Sequence, residues 1–476
     1  MPSRGLGAYS VKIHQIVFGG LFLLVTAFAI RGMATGSTSN IKMLATLSVF
    51  AGIVLALDKY YWLICPVLLV LPFNIPGLPF GSGELARIIL VGMFFVRSAL
   101  GRDDVCKFRT ETLVAALYFF WIVAIFCINP AGMNIFGSEI LGGRFYFQIL
   151  LGFLTLLTFS RLRLTERDAR YWMYALLAAQ AFKFLMGMVG GYAFVVSGEE
   201  ATLSNYFLIP ATPLLLLLLC HYDLRYIVSF SWRFIVALGL ALAVAYSGKR
   251  TSMGQVFLAP FLLVGMRKKE KGMLFVLSIL AAFVLGFLVV GQGRMYELPF
   301  SVQRSMSFLP GKWDNRLENY GTKDLFREEL HRRAKGIIKE KPLLGNKGYS
   351  IEREQIVWMI AGTRSDSMSG HEYVGNWHNK WYGMAADFGL PAAFFWYVFS
   401  IYAAVYCIRH RGVATVGGYK ATLFLYYSLY MFYDLFFAFG HSAHTPLTQW
   451  TNFGFLLALS YRTDHTNTLT KNKSSV

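Results

Sequence analysis

Residues 273–291 form the apolar stretch MLFVLSILAAFVLGFLVVG, which carries no charged side chain. A helix of about 20 residues crosses the hydrocarbon core of a bilayer, and similar runs recur throughout the 476 residues. Only 15% of the residues are charged and 56% are hydrophobic, whereas soluble domains carry about 25% charged residues. The runs are continuously apolar rather than alternating, which favours helices over a transmembrane barrel. The sequence therefore predicts an all-α polytopic membrane protein.

We expect about twelve to fourteen transmembrane helices in this chain. They are predicted at residues 13–30, 42–57, 60–74, 84–100, 111–128, 145–160, 171–195, 203–220, 226–247, 252–266, 273–291, 383–408, 417–439 and 447–461. Eleven of these helices lie within residues 1–291 and three lie within residues 381–461. One long hydrophilic loop, residues 292–380, separates the two groups. A polar tail at residues 462–476 is predicted to be disordered and cytoplasmic.

The distribution of Lys and Arg predicts the orientation of these helices. If the N-terminus is cytoplasmic and the helices alternate, the basic loops fall in the cytoplasm, as the positive-inside rule requires. These basic loops are residues 97–109, 161–170, 267–271 and 409–411, together with the tail. Loops on the other side, such as 31–41 and 440–446, are nearly free of Lys and Arg. Both termini are then cytoplasmic and the long loop lies outside. The net charge of +19 is explained by this topology, without nucleic-acid binding.

The long loop is predicted to contain an amphipathic helix at residues 322–341. Its apolar stripe consists of Phe326, Leu330, Ala334, Ile337 and Ile338. Pro342 ends this helix, because the residue before a proline is pushed out of the helical region. Leu343-Leu-Gly345 then forms a turn, and residues 351–360 are expected to form a second short helix.

Three basic side chains lie in short segments on the outer side of the membrane, where the other short loops are nearly free of Lys and Arg. Lys249 and Arg250 sit between two predicted spans, and Arg144 opens the sixth span. Long cationic side chains often extend along apolar surface to reach lipid phosphates, which is one interpretation of these residues. The alternative interpretation is an anion-binding site at the outer face.

Arg250, Arg327 and His378 share one surface if this topology holds. The planar guanidinium fork of arginine suits phosphate. Histidine titrates near neutrality, at about pH 6.5 when unperturbed, so it can take a proton from a hydroxyl. The three side chains suggest transfer from a lipid-linked phosphate donor to a sugar hydroxyl. The competing interpretation of His378 is a simple anchor at the membrane interface.

Residues 375–389, GNWHNKWYGMAADFG, resemble the motif that closes the large periplasmic loop in the O-antigen ligase and O-antigen polymerase superfamily. That motif consists of His-Asn, nine residues and Gly, which fall here on His378, Asn379 and Gly389.

Two further segments are similar to the same superfamily. Ser247-Gly-Lys-Arg250-Thr-Ser resembles its Ser-Arg-Gly-like segment, which opens the span before the loop. Arg327, followed by Ala334, Ile338 and Pro342-Leu-Leu-Gly345, resembles its loop helix and its Pro-Leu-Leu-Gly turn. The resemblance covers about residues 203–408.

The resemblance implies glycosyl transfer from an undecaprenyl-diphosphate-linked glycan at the periplasmic face of a bacterial inner membrane, without a metal or other cofactor. His378 would be the base that activates the acceptor hydroxyl. Arg250 and Arg327 would hold the diphosphate and stabilise charge on the leaving group. Asn379 is expected to orient the loop through a cap or turn hydrogen bond rather than react. The implied partners are the lipid-linked glycan and the bilayer, and a chain-length regulator is a further candidate.

Two activities within this superfamily remain open on these residues. A polymerase joins repeat units, whereas a ligase transfers a finished glycan to lipid A core. The ligase form of the motif continues with Gly, Thr or Tyr three residues after Gly389, where this chain has Ala392. That difference, together with the chain length and the extra spans, favours the polymerase.

Lys183 lies in the middle of a predicted span, where an ionisable group is costly and is usually functional. It is a candidate substrate-binding residue, and Asp434 is its candidate ion-pair partner in the alternative, structural interpretation. The same pair would be the best support for a transporter or flippase, a competing function of another class. Transporters commonly show repeated halves, which this sequence lacks. A metal-dependent oligosaccharyltransferase would need acidic residues in the first outer loop, and residues 31–41 contain none.

Overall fold

The computed structural model describes residues 58–70, 81–99, 101, 109–130, 143–194, 210–229, 231–247, 249–267, 271–307, 309–315, 325–348, 377–438 and 447–460. These residues form α-helices and two short 3-10 helices. The same ranges contain no strand, apart from an isolated bridge between Gln292 and Tyr296. The predicted all-α class is confirmed.

The helices that the structure describes are numbered here in chain order. They are α1 (Ile64–Leu68), α2 (Ser82–Ala99), α3 (Leu113–Ile128), α4 (Gly143–Arg161), α5 (Glu166–Phe194), α6 (Ala211–His221), α7 (Leu224–Val228), α8 (Trp232–Tyr246), α9 (Arg250–Arg267), α10 (Lys271–Gly291), α11 (Phe300–Met306), α12 (Leu325–Glu340), α13 (Lys380–Phe388), α14 (Leu390–Arg409), α15 (Gly412–Thr415), α16 (Gly418–Phe436) and α17 (Leu447–Ser460).

Three helical segments among the described residues are long and apolar enough to cross a membrane, namely Thr110–Ile128, Gly143–Arg161 and Leu390–Thr415. Shorter apolar helices occur at Ala211–His221, Trp232–Tyr246 and Ala281–Gly291. Only 33% of the apolar window in the first segment is buried inside the protein. Its remaining surface is apolar and suited to lipid, as a membrane protein requires. The total of twelve to fourteen spans stays a prediction, and the spans predicted at 13–30 and 42–57 lie outside the described residues.

Helix α17 lies in the core of the bundle, where every residue from Gln449 to Ser460 is buried. It packs against α4 and α16. The ring of Trp172, on α5, stacks on Phe455 with 3.9 Å between ring centroids, and its indole nitrogen donates to the Tyr427 hydroxyl at 2.9 Å. A buried tryptophan needs such a partner for its N–H group. Aromatic side chains thus fill this part of the core, and the Trp172 N–H group has its partner there.

The span predicted at 226–247 is divided into two helices, α7 and α8. Ser229 and Ser231 adopt extended backbone conformations between them. Both hydroxyls donate to the Tyr226 carbonyl, at 3.0 and 3.4 Å. Serine side chains compete with the helix for backbone partners in this way. The apolar pattern alone did not predict this break.

The span predicted at 383–408 is also divided, because Gly389 separates α13 from α14 with φ of +87° and ψ of 166°. Residues 342–348, which follow the loop helix α12, dock against this kink through three backbone hydrogen bonds. The amide of Leu390 donates to the Pro342 carbonyl at 2.8 Å. The amides of Asn346 and Gly348 donate to carbonyls of α13, at 2.8 and 2.7 Å. The kink therefore fixes the long loop to the membrane helices.

Replacement of Gly389 by alanine is expected to destabilise the chain by at least about 1–3 kcal/mol, because essentially only glycine adopts this backbone conformation. The added Cβ would also lie 1.8 Å from the Leu343 carbonyl oxygen. We expect a clearly lower midpoint of thermal unfolding for the full chain in detergent.

Gly92→Ala is the matched control, since a Cβ at that helical position meets nothing within 4 Å. Alanine is favoured over glycine in a helix by about 1 kcal/mol, so this variant should unfold at the same temperature or higher. Equal midpoints for the two variants would contradict the role assigned to the kink.

Candidate active site

His378 lies directly before α13, in a backbone conformation with φ of +50° that is uncommon for residues other than glycine. The adjacent residues hold it in place. Trp377 is fully buried, and its indole nitrogen donates to the Asp387 carboxylate at 3.3 Å. Asn379 caps α13, because its side-chain oxygen accepts from the Tyr382 amide at 3.1 Å. This cap agrees with the orienting role that the sequence favoured for Asn379. The His378 side chain is half-buried at the entrance to α13.

Lys380, two residues after His378, is buried and forms an ion pair with Asp434 on α16, with 3.6 Å between Nζ and Oδ1. Its ammonium also lies 4.9 Å from the centre of the Trp396 ring. From the sequence alone, Lys183 is the candidate partner of Asp434. That pairing is wrong, because the nearer cation is the one that α13 brings to the end of α16.

The loop helix α12 packs on α13 and so joins Arg327 to the same unit as His378. Leu330 and Ala334 are fully buried against Trp377 and Ala386. They belong to the predicted apolar stripe, and the helix ends before Pro342 as expected. Arg327 lies one turn before Leu330 on α12, and its side chain is exposed.

Charges along the exposed side of α12 are partly neutralised. Glu329 accepts from Arg332 at 2.5 Å and from Arg333 at 3.1 Å. These hydrogen bonds lower the pKa of the Glu329 carboxyl to about 2. The pair is solvent-exposed and contributes little to stability. Both of these arginines lie more than one turn after Arg327, which is in the first turn of α12 together with Glu328.

Lys249 and Arg250 form a second basic position, at the start of α9. The Arg250 Nε donates to the Arg304 carbonyl of α11 at 3.3 Å. Lys249 is half-buried, and burial lowers the pKa of its ammonium. Lys183, on α5, lies near enough to Lys249 for the two positive charges to repel each other. The structure therefore places Lys183 within electrostatic range of Lys249, which the sequence did not predict.

The start of α9 and the end of α16 are in direct contact. The Tyr433 hydroxyl donates to the Gln255 carbonyl at 2.8 Å. A Cβ on Gly254 would lie 2.9 Å from the Phe437 ring, so glycine allows this close approach. Asp434 follows Tyr433, and it carries the ion pair with Lys380. The basic position at Arg250 and the His378 segment thus flank the same end of α16.

Arg144 is placed elsewhere. Its guanidinium binds the Glu84 carboxylate with both arms, Nε to Oε1 at 3.1 Å and Nη2 to Oε2 at 2.8 Å. Gln148 and the Gly81 amide donate to the same carboxylate. Arg144 therefore ties α4 to α2 in a structural ion pair, and it does not join the basic positions above. Glu84 is an acidic residue at the start of its predicted span, on the same side of the membrane as Arg144. That position is the sequence signal that would have indicated this pair.

These contacts define the chemistry that the arrangement can perform. Guanidinium and ammonium groups at Arg250, Lys249 and Arg327 can bind phosphate oxygens. The imidazole of His378 can accept a proton from a hydroxyl. Among the described residues there is no group of three or more His, Cys, Asp or Glu side chains placed to hold a metal ion. The candidate site thus consists of basic side chains on α9 and α12 and a histidine at the start of α13.

The Lys380–Asp434 pair generates a stability prediction. Lys380→Met should lower the midpoint of thermal unfolding in detergent, with a cost of about 1–3 kcal/mol, since it leaves the carboxylate without its partner. The double variant Lys380→Met/Asp434→Leu should recover most of that loss. Lys339→Met, on the exposed face of α12, is the control and should unfold like the wild type. A double variant as unstable as the sum of its two single variants would contradict the pairing.

The region of the chain that contains Arg250, Arg327 and His378 is similar to a known protein family. Residues 235–397 match the model of the family described as O-antigen ligase. The matched region includes Lys249, Arg250, Arg327 and His378. No curated protein matches the chain. The match supports activity of the O-antigen ligase or polymerase type. Residues 235–397 of the chain are therefore similar to the O-antigen ligase family, and the rest of the chain lies outside this match.

Proposed function

We propose that this chain is a glycosyltransferase that joins lipid-linked oligosaccharide repeat units into O-antigen or exopolysaccharide. The donor would be an undecaprenyl-diphosphate-linked glycan at the periplasmic face of the bacterial inner membrane. The observation that carries this proposal is the docking of α12 and residues 342–348 on α13. That docking unites Arg327 and His378 in one packed unit, beside the helix end that adjoins Arg250.

In the proposed reaction, His378 takes the proton of an acceptor sugar hydroxyl as its oxygen attacks the anomeric carbon of the donor. The bond from that carbon to the phosphate oxygen breaks, and undecaprenyl diphosphate leaves. Arg250 and Arg327 bind the diphosphate and offset the negative charge that develops on it. In this scheme the cations supply the positive charge that a metal ion supplies in other phosphate chemistry. The proton on His378 can then neutralise the departing diphosphate.

Lys249, Lys183 and Asn379 have supporting roles in this proposal. Lys249 and Lys183 add positive charge next to Arg250, where the diphosphate would lie. Asn379 fixes the start of α13 and thereby the direction of the neighbouring His378. Arg144 is assigned to structure, because Glu84 occupies its guanidinium fork.

The choice of polymerase over ligase rests on Ala392. This residue is fully buried in the first turn of α14. The ligase motif has Gly, Thr or Tyr at this position, and a tyrosine would need a different packing of the core. The transporter alternative loses its main support, because Asp434 pairs with Lys380 rather than with Lys183.

His378→Ala is expected to lower polymer formation by at least about 100-fold, because it removes the general base. The test is complementation of a strain that lacks the protein, with membrane levels matched by blotting. Lipid-linked and surface glycans would be separated on gels. Single lipid-linked repeat units in the variant support a polymerase, whereas long lipid-linked chains that are not attached to lipid A core indicate a ligase. Wild-type polymer from the variant would overturn the role of His378.

Arg250→Lys should fail nearly as badly as Arg250→Ala in the same assay, with a loss of about 100-fold, since a point charge does not replace the bidentate fork. Arg327→Ala should also fail. Arg332→Ala is the matched control on α12, because Arg332 is exposed and pairs with Glu329. Polymer formation by Arg332→Ala should equal that of the wild type, and a similar loss in both α12 variants would contradict a specific role for Arg327.

A further inference from the structure

A cavity of about 370 Å³ lies inside the helix bundle, apart from the residues assigned to the proposed reaction. It is bordered by α1, α2, α5, α16 and α17. Its polar lining includes Arg87, Gln180, Tyr426, Tyr430, Thr451 and Asn452. Pockets for small molecules have volumes of roughly 300–1,000 Å³, so the cavity can hold one small polar group.

Arg87 is the charged side chain of this cavity, and only 5% of it is exposed. Its Nε donates to the Thr451 hydroxyl at 3.2 Å, and its Nη1 donates to the Gly83 carbonyl at 2.8 Å. The guanidinium forms no ion pair with any residue that the structure describes. The adjacent Glu84 is instead held by Arg144 and Gln148. A guanidinium carries five N–H donors, so Arg87 retains donors for a further partner.

Burial of a cation is costly, and within a membrane the cost rises; the charge of the nearby Glu84 offsets only part of that cost for Arg87. Such a residue commonly marks a functional position. The fixed fork of arginine matches the oxygens of a phosphate or a carboxylate. The chemistry of Arg87 therefore indicates an anionic oxygen group as the ligand.

The rest of the lining suits a sugar. The Tyr426 and Tyr430 hydroxyls are hydrogen-bonded to each other at 3.2 Å. Gln180 and Asn452 are buried amides, each able to donate and accept hydrogen bonds. Aromatic faces and neutral polar groups around one charge are the features of a pocket for a polar ligand with an apolar surface.

Two helices connect the cavity to the proposed active site. On α5, Gln180 lines the cavity and Lys183, three residues later, lies near Lys249. On α16, Tyr430 lines the cavity and Asp434, four residues later, pairs with Lys380. Residues three or four apart are neighbours on one helix face. The cavity is thus one helical turn from the cations around Arg250.

We propose that this cavity binds an anionic oxygen group of the lipid-linked donor, a phosphate or a carboxylate, with Arg87 as its counterion. The identity of the ligand as part of the donor rests on the proposed function. The anion site itself depends only on the cavity and on Arg87.

Thr448, an exposed residue at the border of the cavity, provides a local readout. The experiment uses the full chain with Thr448→Cys in nanodiscs and follows alkylation by a charged, water-soluble thiol reagent. Mass spectrometry of the peptide that contains residue 448 reports the rate. Geranyl diphosphate, glucuronate and glucose are the three probes. We expect protection by geranyl diphosphate, by glucuronate or by both, and none by glucose.

Arg87→Lys should raise the half-protecting concentration by about tenfold or more, because it removes the fork. Arg97→Lys is the matched control, since Arg97 is 6% exposed on the same helix and does not line the cavity. Its protection should be unchanged. Thr451→Val keeps the shape of the side chain and removes the partner of the Arg87 Nε, so it should weaken protection several-fold. This second variant tests the site even if Arg87→Lys folds poorly.

Each outcome of the alkylation experiment either identifies the source of the anionic group or overturns the proposal. Protection by geranyl diphosphate alone assigns the group to the lipid diphosphate, and protection by glucuronate alone assigns it to an acidic sugar. Equal protection by glucose, no protection by either anion, or protection that both Arg87→Lys and Thr451→Val leave intact would overturn it. The assay requires no turnover. A chain that is protected but makes no polymer would refute only the proposed transferase, and a chain that makes polymer without protection would refute only this site.

Discussion

The attachment of residues 342–348 to the kink at Gly389 is the contact on which the candidate site depends. Three backbone amides and three backbone carbonyls form it, and it holds the loop helix α12 against α13. Trp121 and Asn129 reinforce it from α3, because their side chains donate to the carbonyls of Phe388 and Lys347. Without this attachment Arg327 would belong to a separate lobe. With it, His378 at the start of α13 and Arg327 on the loop helix belong to one packed unit.

The cations of the structure fall into two groups, those that form an ion pair with an acidic side chain and those that lie near other cations. Arg144 is satisfied by Glu84 and Lys380 by Asp434, so these two fix helices to each other. Lys183, Lys249 and Arg250 instead gather like charges at one place. Like charges brought together in a folded protein cost stability, so their assembly is expected at sites that bind an anion. The proposed transfer of a glycan from a diphosphate uses that second group.

The sequence predicted those helices whose positions depend only on the local pattern of apolar and polar residues. The apolar runs located α3, α4 and α14, and the stripe through Leu330 and Ala334 located the buried side of α12. Three features were not predictable in this way. Gly389 kinks the chain only because residues 342–348 dock there, and a glycine within an apolar run does not reveal its φ. The pairing of Asp434 with Lys380 depends on which helices are neighbours, which no periodicity encodes. Arg87 lies in an ordinary apolar run, and only the cavity around it distinguishes it.

The docking of residues 342–348 uses backbone atoms, and this has an evolutionary consequence. The side chains of Lys341, Leu343 and Lys347 point away from the contact and are exposed. Substitutions at these positions can change the surface that a glycan meets while the hydrogen bonds to α13 persist. If the proposed function holds, natural variants of such a protein can therefore diverge in the sugar that they accept while residues 342–348 stay docked on α13. Glycine at positions 345, 348 and 389 is the fixed requirement, whereas the exposed side chains beside them can vary.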